Sequence, residues 1–139
     1  MTHEEKLELV NFLIFLRGKL QSLAIRLILL GEDPKKVDEA EKRLAKEINK
    51  LRINMMLDWQ GDAAELMAKL RQSNEQAQRH VRELKDAQER TSKLATILGL
   101  IDRCMESVAG VLVYAIPPPA RWRWMNQIST DNPLGLLAW

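Results

Sequence analysis

The chain has 139 residues, 46% of them hydrophobic and 29% charged, with a formal net charge of +2. That balance fits a folded domain and argues against intrinsic disorder. It also argues against a nucleic-acid partner. Counterion release needs a basic face, whereas residues 32–92 hold thirteen basic and thirteen acidic side chains.

The single cysteine, Cys104, cannot form an intrachain disulfide. It fits a reducing compartment and reads as a small buried apolar residue. The opening residues Met1-Thr2-His3-Glu4-Glu5 are acidic where a secretory signal would be basic. Residues 9–30 are apolar but carry Arg17, Lys19 and Arg26, each costing about 2.5–3.5 kcal/mol near the centre of a bilayer. The expected location is the cytoplasm, with peripheral contact to a membrane as the alternative.

The first predicted helix spans about 2–30. Thr2 and Glu5 have capping-box spacing, and Gly31 suits the position after the last turn. Glu4, Glu8, Asn11, Lys19, Ser22 and Arg26 fall near one stripe, leaving most of the circumference apolar. Such a helix needs covering on several sides.

The second predicted helix spans about 33–60. Asp33 and Pro34 fit the cap and first-turn positions. Val37, Ala40, Leu44, Ile48, Leu51, Met55 and Trp59 then step by three or four, a narrow seam of the coiled-coil kind. Asp38 with Lys42 and Glu39 with Arg43 are spaced for i,i+4 pairs on the wet faces. Trp59-Gln60-Gly61 is expected to end this helix in a tight turn, with Gly61 left-handed and Asp62 capping the next.

The third predicted helix spans about 62–116. Its seam runs from Leu66 to Leu112 in steps of three or four, about 70 Å if unbroken, with a kink placed near residues 91–96. No proline interrupts residues 35–116; Pro117-Pro118-Pro119 then stops the helix. Arg121-Trp122-Arg123-Trp124 and an apolar end at Leu134, Leu136, Leu137 and Trp139 follow, forming a C-terminal docking arm over 117–139.

These elements predict an all-α fold: a long antiparallel helical hairpin, a coiled-coil-like bundle of three main helices with a Pro/Trp-rich arm. Residues 34–92 form a charged stalk, and residues 3–30 with 94–116 form an apolar base. A compact bundle, in which residues 31–33 reverse the chain and helix one packs along the stalk, is the competing arrangement.

Trp59-Gln60-Gly61 between two helices resembles the WxG turn of the small helical-hairpin proteins exported by ESX-type secretion systems. The resemblance covers residues 34–92 at most. The chain departs from that family in its added apolar helix and in its tail, where Tyr114 is followed at the Tyr-x-x-x-Asp/Glu spacing by Pro118. Membership is therefore not assigned.

Catalytic, metal and cofactor constellations do not emerge. His3 and His80 are isolated, Glu83 near His80 has no second set, and no Gly-rich phosphate loop is present. The expected function is that of a non-enzymatic helical scaffold, adaptor or assembly subunit, acting through self-association or a protein partner. The alternative is a membrane-active helical protein using the apolar base and tail. The residues expected to carry association are Phe12, Phe15, Leu16, Leu23, Leu98, Ile101, Met105, Trp122, Trp124 and Trp139, with Trp59, Gly61 and Asp62 forming the turn.

Overall fold

The structure, a computed structural model, describes residues 1–113. These form four helices, α1 (His3–Leu29), α2 (Lys35–Ile53), α3 (Ala63–Arg82) and α4 (Arg90–Val113), with a short 3₁₀ turn at Glu83–Lys85. No strand occurs among the described residues. The all-α expectation holds; the hairpin built on three helices does not.

Helix ends follow local chemistry. At α1 the Thr2 hydroxyl accepts from the Glu5 amide at 3.1 Å, and the Glu5 carboxylate accepts from the Thr2 amide at 2.8 Å. Those two Thr2 groups hold the Glu5 carboxyl below the ordinary carboxylate range. Gly31 takes φ +79°; the Glu32 amide reaches back to Leu27 and the Gly31 amide to Ile28, satisfying the last carbonyls of α1. Asp33 accepts from the Lys35 amide at 3.0 Å and so caps α2, with Pro34 at the boundary.

Helix α2 stops at Ile53, six residues before Trp59. The Asn54 side chain donates to the Lys50 carbonyl at 2.7 Å, closing the last turn. Residues 54–62 then form a non-helical connection rather than a tight turn. Gly61 is left-handed at φ +100°, and Asp62 caps α3 by accepting from the Ala64 and Glu65 amides. Gly61 is left-handed and Asp62 is a cap, as expected, but Gly61 does not end α2; the two residues open α3 after a longer crossing.

The predicted seam from Leu66 to Leu112 is broken. Past the Glu83–Lys85 turn the chain reverses through residues 86–89, where Asp86 accepts from the Gln88 amide at 3.0 Å. The reason is burial: folding back lets α3 and α4 cover each other's apolar faces, which one rod of about 70 Å would leave wet. Over residues 91–96, where a kink was expected, α4 is continuous.

The packing also differs. Helix α1 lies along α2 and α3 along α4, while α2 meets α4 and α1 meets α3. Between α2 and α3, and between α1 and α4, no Cα pair comes within 8 Å. These are the diagonals of a four-helix bundle, and the 54–62 connection crosses one of them. A stalk of α2 paired with α3 is therefore absent, and the compact arrangement describes the chain better. Arg43 pairs with Asp102 of α4 at 2.9 Å rather than with the expected Glu39, and Glu41 pairs with Arg17 of α1.

The core runs the length of the bundle. Leu9, Leu13, Leu16 and Leu27 from α1 meet Val37, Leu44 and Leu51 from α2, with Leu70, Ile97 and Val108 opposite. Cys104 is buried among them, as expected, and burial pushes its thiol up.

Candidate interaction surface

At one end of the bundle lie the start of α1, the end of α2, the start of α3 and the end of α4. The 54–62 connection closes that end. Trp59 is 2% exposed, and its indole N–H donates to the Asn54 carbonyl at 2.9 Å. Lys6 is the one buried charged residue among those described, at 7% exposure. Its ammonium donates to the Met55 and Leu57 carbonyls at 3.0 and 2.6 Å and lies 5.5 Å from the Trp59 ring centre. The Met1 nitrogen donates to the Trp59 carbonyl, and the Gln60 amide to Val111 of α4. The WxG resemblance is thus confined to three residues: Trp59 plugs a crossing between helices that do not pack together.

At the other end, Arg90 joins both hairpin turns. It donates to the Leu84 carbonyl at 2.9 Å, to the Leu30 carbonyl at 3.4 Å and to Glu32 at 3.1 Å.

The described residues contain no group of side chains able to hold a metal ion. His80 lies 3.6 Å from Glu83, whose carboxylate is bound by Lys93. The Lys93 contact lowers the Glu83 carboxyl, and Glu83 in turn raises the Lys93 ammonium. This is an ion pair bracing the α3–α4 turn, without an adjacent nucleophile. The depression lined by Arg43, Lys46, Lys50, Asp102 and Glu106 likewise holds charges but no nucleophile beside a base.

The residues expected to mediate association divide. Leu16, Leu23, Ile101 and Met105 are buried in the chain's own core and are not available as a surface. Phe12 and Leu98 pack partly against that core. Phe15 is 50% exposed, tilted against Phe12 with the Lys19 ammonium 5.3 Å from its ring centre. Trp122, Trp124, Trp139 and the arm over 117–139 lie outside the described residues.

A surface that the sequence reading missed lies on the outer side of α1. Leu7, Ile14, Ile25 and Ile28 are exposed there, Ile25 and Ile28 by 60% or more. Near the closed end, Ile53 and Met56 are exposed by 73% and 94%. Periodicity pointed to a polar stripe through Glu4, Asn11 and Ser22. The apolar residues interleave with it, and only the placement of α2 and α3 shows which were left uncovered.

No helix among the described residues is long and apolar enough to cross a membrane. No protein-family model, curated protein or solved structure matches the chain.

Proposed function

We propose that this chain is a non-enzymatic helical scaffold or assembly subunit that works by presenting a helix face to a protein, either a copy of itself or another chain. The observation that carries this reading is the row of large apolar side chains along the outside of α1, on a bundle whose core is otherwise filled. Large exposed apolar patches mark association surfaces. Arg17–Glu41, Arg43–Asp102 and Arg71–Glu8 brace one helix against another.

A second reading, contact with a membrane surface, draws on the exposed Ile53 and Met56 and on the Trp–Arg alternation at 121–124. Trp and Arg suit the headgroup region.

One experiment separates the two. The molecular mass is measured by light scattering without lipid, and flotation is measured with neutral and anionic liposomes. The scaffold reading expects a discrete assembly, or a discrete complex with a protein partner, that does not float. Flotation of the bulk of the protein would replace it with the membrane reading.

A further inference from the structure

The outer face of α1 carries a regular pattern. Leu7, Ile14, Gln21 and Ile28 recur every seven residues, and Asn11, Gly18 and Ile25 recur at the same interval between them. All seven are exposed. Steps of four and three put these seven positions, four of them large and apolar, on one stripe in the register of a coiled-coil seam, about 31 Å long. The buried stripe of α1 is separate and already occupied by α2 and α3. A second seam therefore faces outward with nothing of the described residues upon it.

Gly18 sits near the middle of that seam. A Cβ built there would meet no atom within 4 Å, and its backbone is not left-handed. Glycine inside a helix is destabilising relative to alanine. Neither the bundle packing nor the helix geometry requires it. What a helical glycine provides is close approach by something from outside.

The order of residues along the seam says what that something is. Reversed about a point midway between Ile14 and Gly18, the seam from Leu7 to Ile25 matches itself, whereas Ile28 falls opposite Glu4. Leu7 meets Ile25, Asn11 meets Gln21, and Ile14 meets Gly18. Apolar faces apolar, amide faces amide, and the one bulky central residue faces the one empty position. Two copies in parallel would instead set Gly18 against Gly18 and leave a void in the central layer, which costs packing energy.

The flanks agree. On the α3 side, Phe15 of each copy falls near the axis. Glu8, which Arg71 of α3 holds at 3.0 Å, comes beside Arg26 of the second copy, offset by about 3 Å along the helix. On the α2 side, Arg17 approaches its own equivalent, but each is already neutralised by Glu41.

Resting on the scaffold reading above, we propose that two copies of this chain pair through antiparallel α1 helices about a two-fold axis between Ile14 and Gly18. The Ile14 side chain of each copy fills the space over Gly18 of the other. Such an isologous pairing closes on itself and gives a dimer rather than a filament.

The test uses the full chain with Cys104→Ser. Leu7→Cys and Ile25→Cys proteins are oxidised separately and as a mixture. The pairing expects a disulfide-linked dimer from the mixture only, because in either protein alone the two cysteines lie about 27 Å apart, against a limit of about 7 Å for bridging. Gly18→Leu is the second arm. It should weaken the dimer by at least about ten-fold while raising the melting temperature of the dilute monomer, since leucine is the better helix former and meets no clash in one copy. A cross-link from Leu7→Cys alone would overturn the antiparallel arrangement. A dimer unaffected by Gly18→Leu and Ile14→Asp would place the interface elsewhere, leaving the scaffold reading intact. A chain of 16.0 kDa that stays monomeric at every concentration would overturn the pairing and, with it, self-association as the mode of the scaffold.

Discussion

The Lys6 ammonium sits against the Trp59 ring and donates to the Met55 and Leu57 carbonyls, which follow the end of α2. One side chain thereby satisfies two acceptors in a connection that has little regular structure of its own. Replacing it with leucine keeps the apolar stem but strands both carbonyls. Lys6→Leu is expected to cost roughly 1–3 kcal/mol, the usual penalty for an unsatisfied buried polar group. Trp59→Ala is expected to cost roughly 3–5 kcal/mol through the cavity it leaves. Urea unfolding measures both; a Lys6→Leu protein as stable as wild type would show that water reaches those carbonyls freely.

Gly61 and Gly18 should respond oppositely to alanine. At Gly61, φ of +100° strains any residue with a Cβ although the space beside it is open, so Gly61→Ala should destabilise by about 1 kcal/mol. At Gly18, in an open helical position, alanine should stabilise the monomer by up to about 1 kcal/mol. Thermal unfolding at low protein concentration reads both. A loss of monomer stability at Gly18 would mean that the glycine serves the bundle itself.

Charge placed in the core should separate from charge placed on the surface. Leu13 and Ile101 are 0% and 2% exposed, whereas Glu39 is exposed. Leu13→Asp and Ile101→Asp are expected to unfold the chain or lower its melting temperature severely, because an unpaired buried charge is very costly. Glu39→Lys should change stability by less than about 0.5 kcal/mol. Equal melting temperatures for all three would refute the core described above.

The Glu83–Lys93 pair predicts a small pH dependence at both extremes. Lys93 lowers the Glu83 carboxyl from its ordinary 4.5, so the contribution is present above that value and is lost as acid protonates Glu83. Glu83 raises the Lys93 ammonium from its ordinary 10.5, so this contribution is present below that value and is lost as pH rises beyond it. Glu83→Gln should flatten both limbs slightly, in melting curves taken from pH 3 to about 11. The pair is solvent-facing, so salt should weaken it further.

Local chemistry was legible in the sequence where one residue decides the backbone. The Thr2–Glu5 box, Asp33, Asp62 and the left-handed glycines 31 and 61 all act as their residue types suggest. The reversal at 86–89 was not legible, because no Gly or Pro marks it and Leu84 and Ala87 continue the three–four rhythm through it. Periodicity records which positions are apolar, not whether the helix that carries them continues. The end of α2 was hidden in the same way: Met55 and Trp59 keep the seam's spacing while lying past the last helical turn. Of the α1 residues expected to associate, Phe15 is half-exposed, whereas Leu16 and Leu23 are buried; choosing between two apolar faces of α1 needs the positions of α2 and α3.

The crossing at 54–62 bears on how the chain assembles. The most extensive helix contacts lie within α1–α2 and within α3–α4, each pair joined by a few residues, so each half can close with little loss of chain entropy. The 54–62 segment then needs only to bring two preformed hairpins together, and low sequence separation between partners favours rapid folding. The covalent bond between the halves is therefore expected to be dispensable. Cleavage at Met56, whose side chain is 94% exposed, should leave two fragments that remain associated under native conditions and recombine after separation in denaturant.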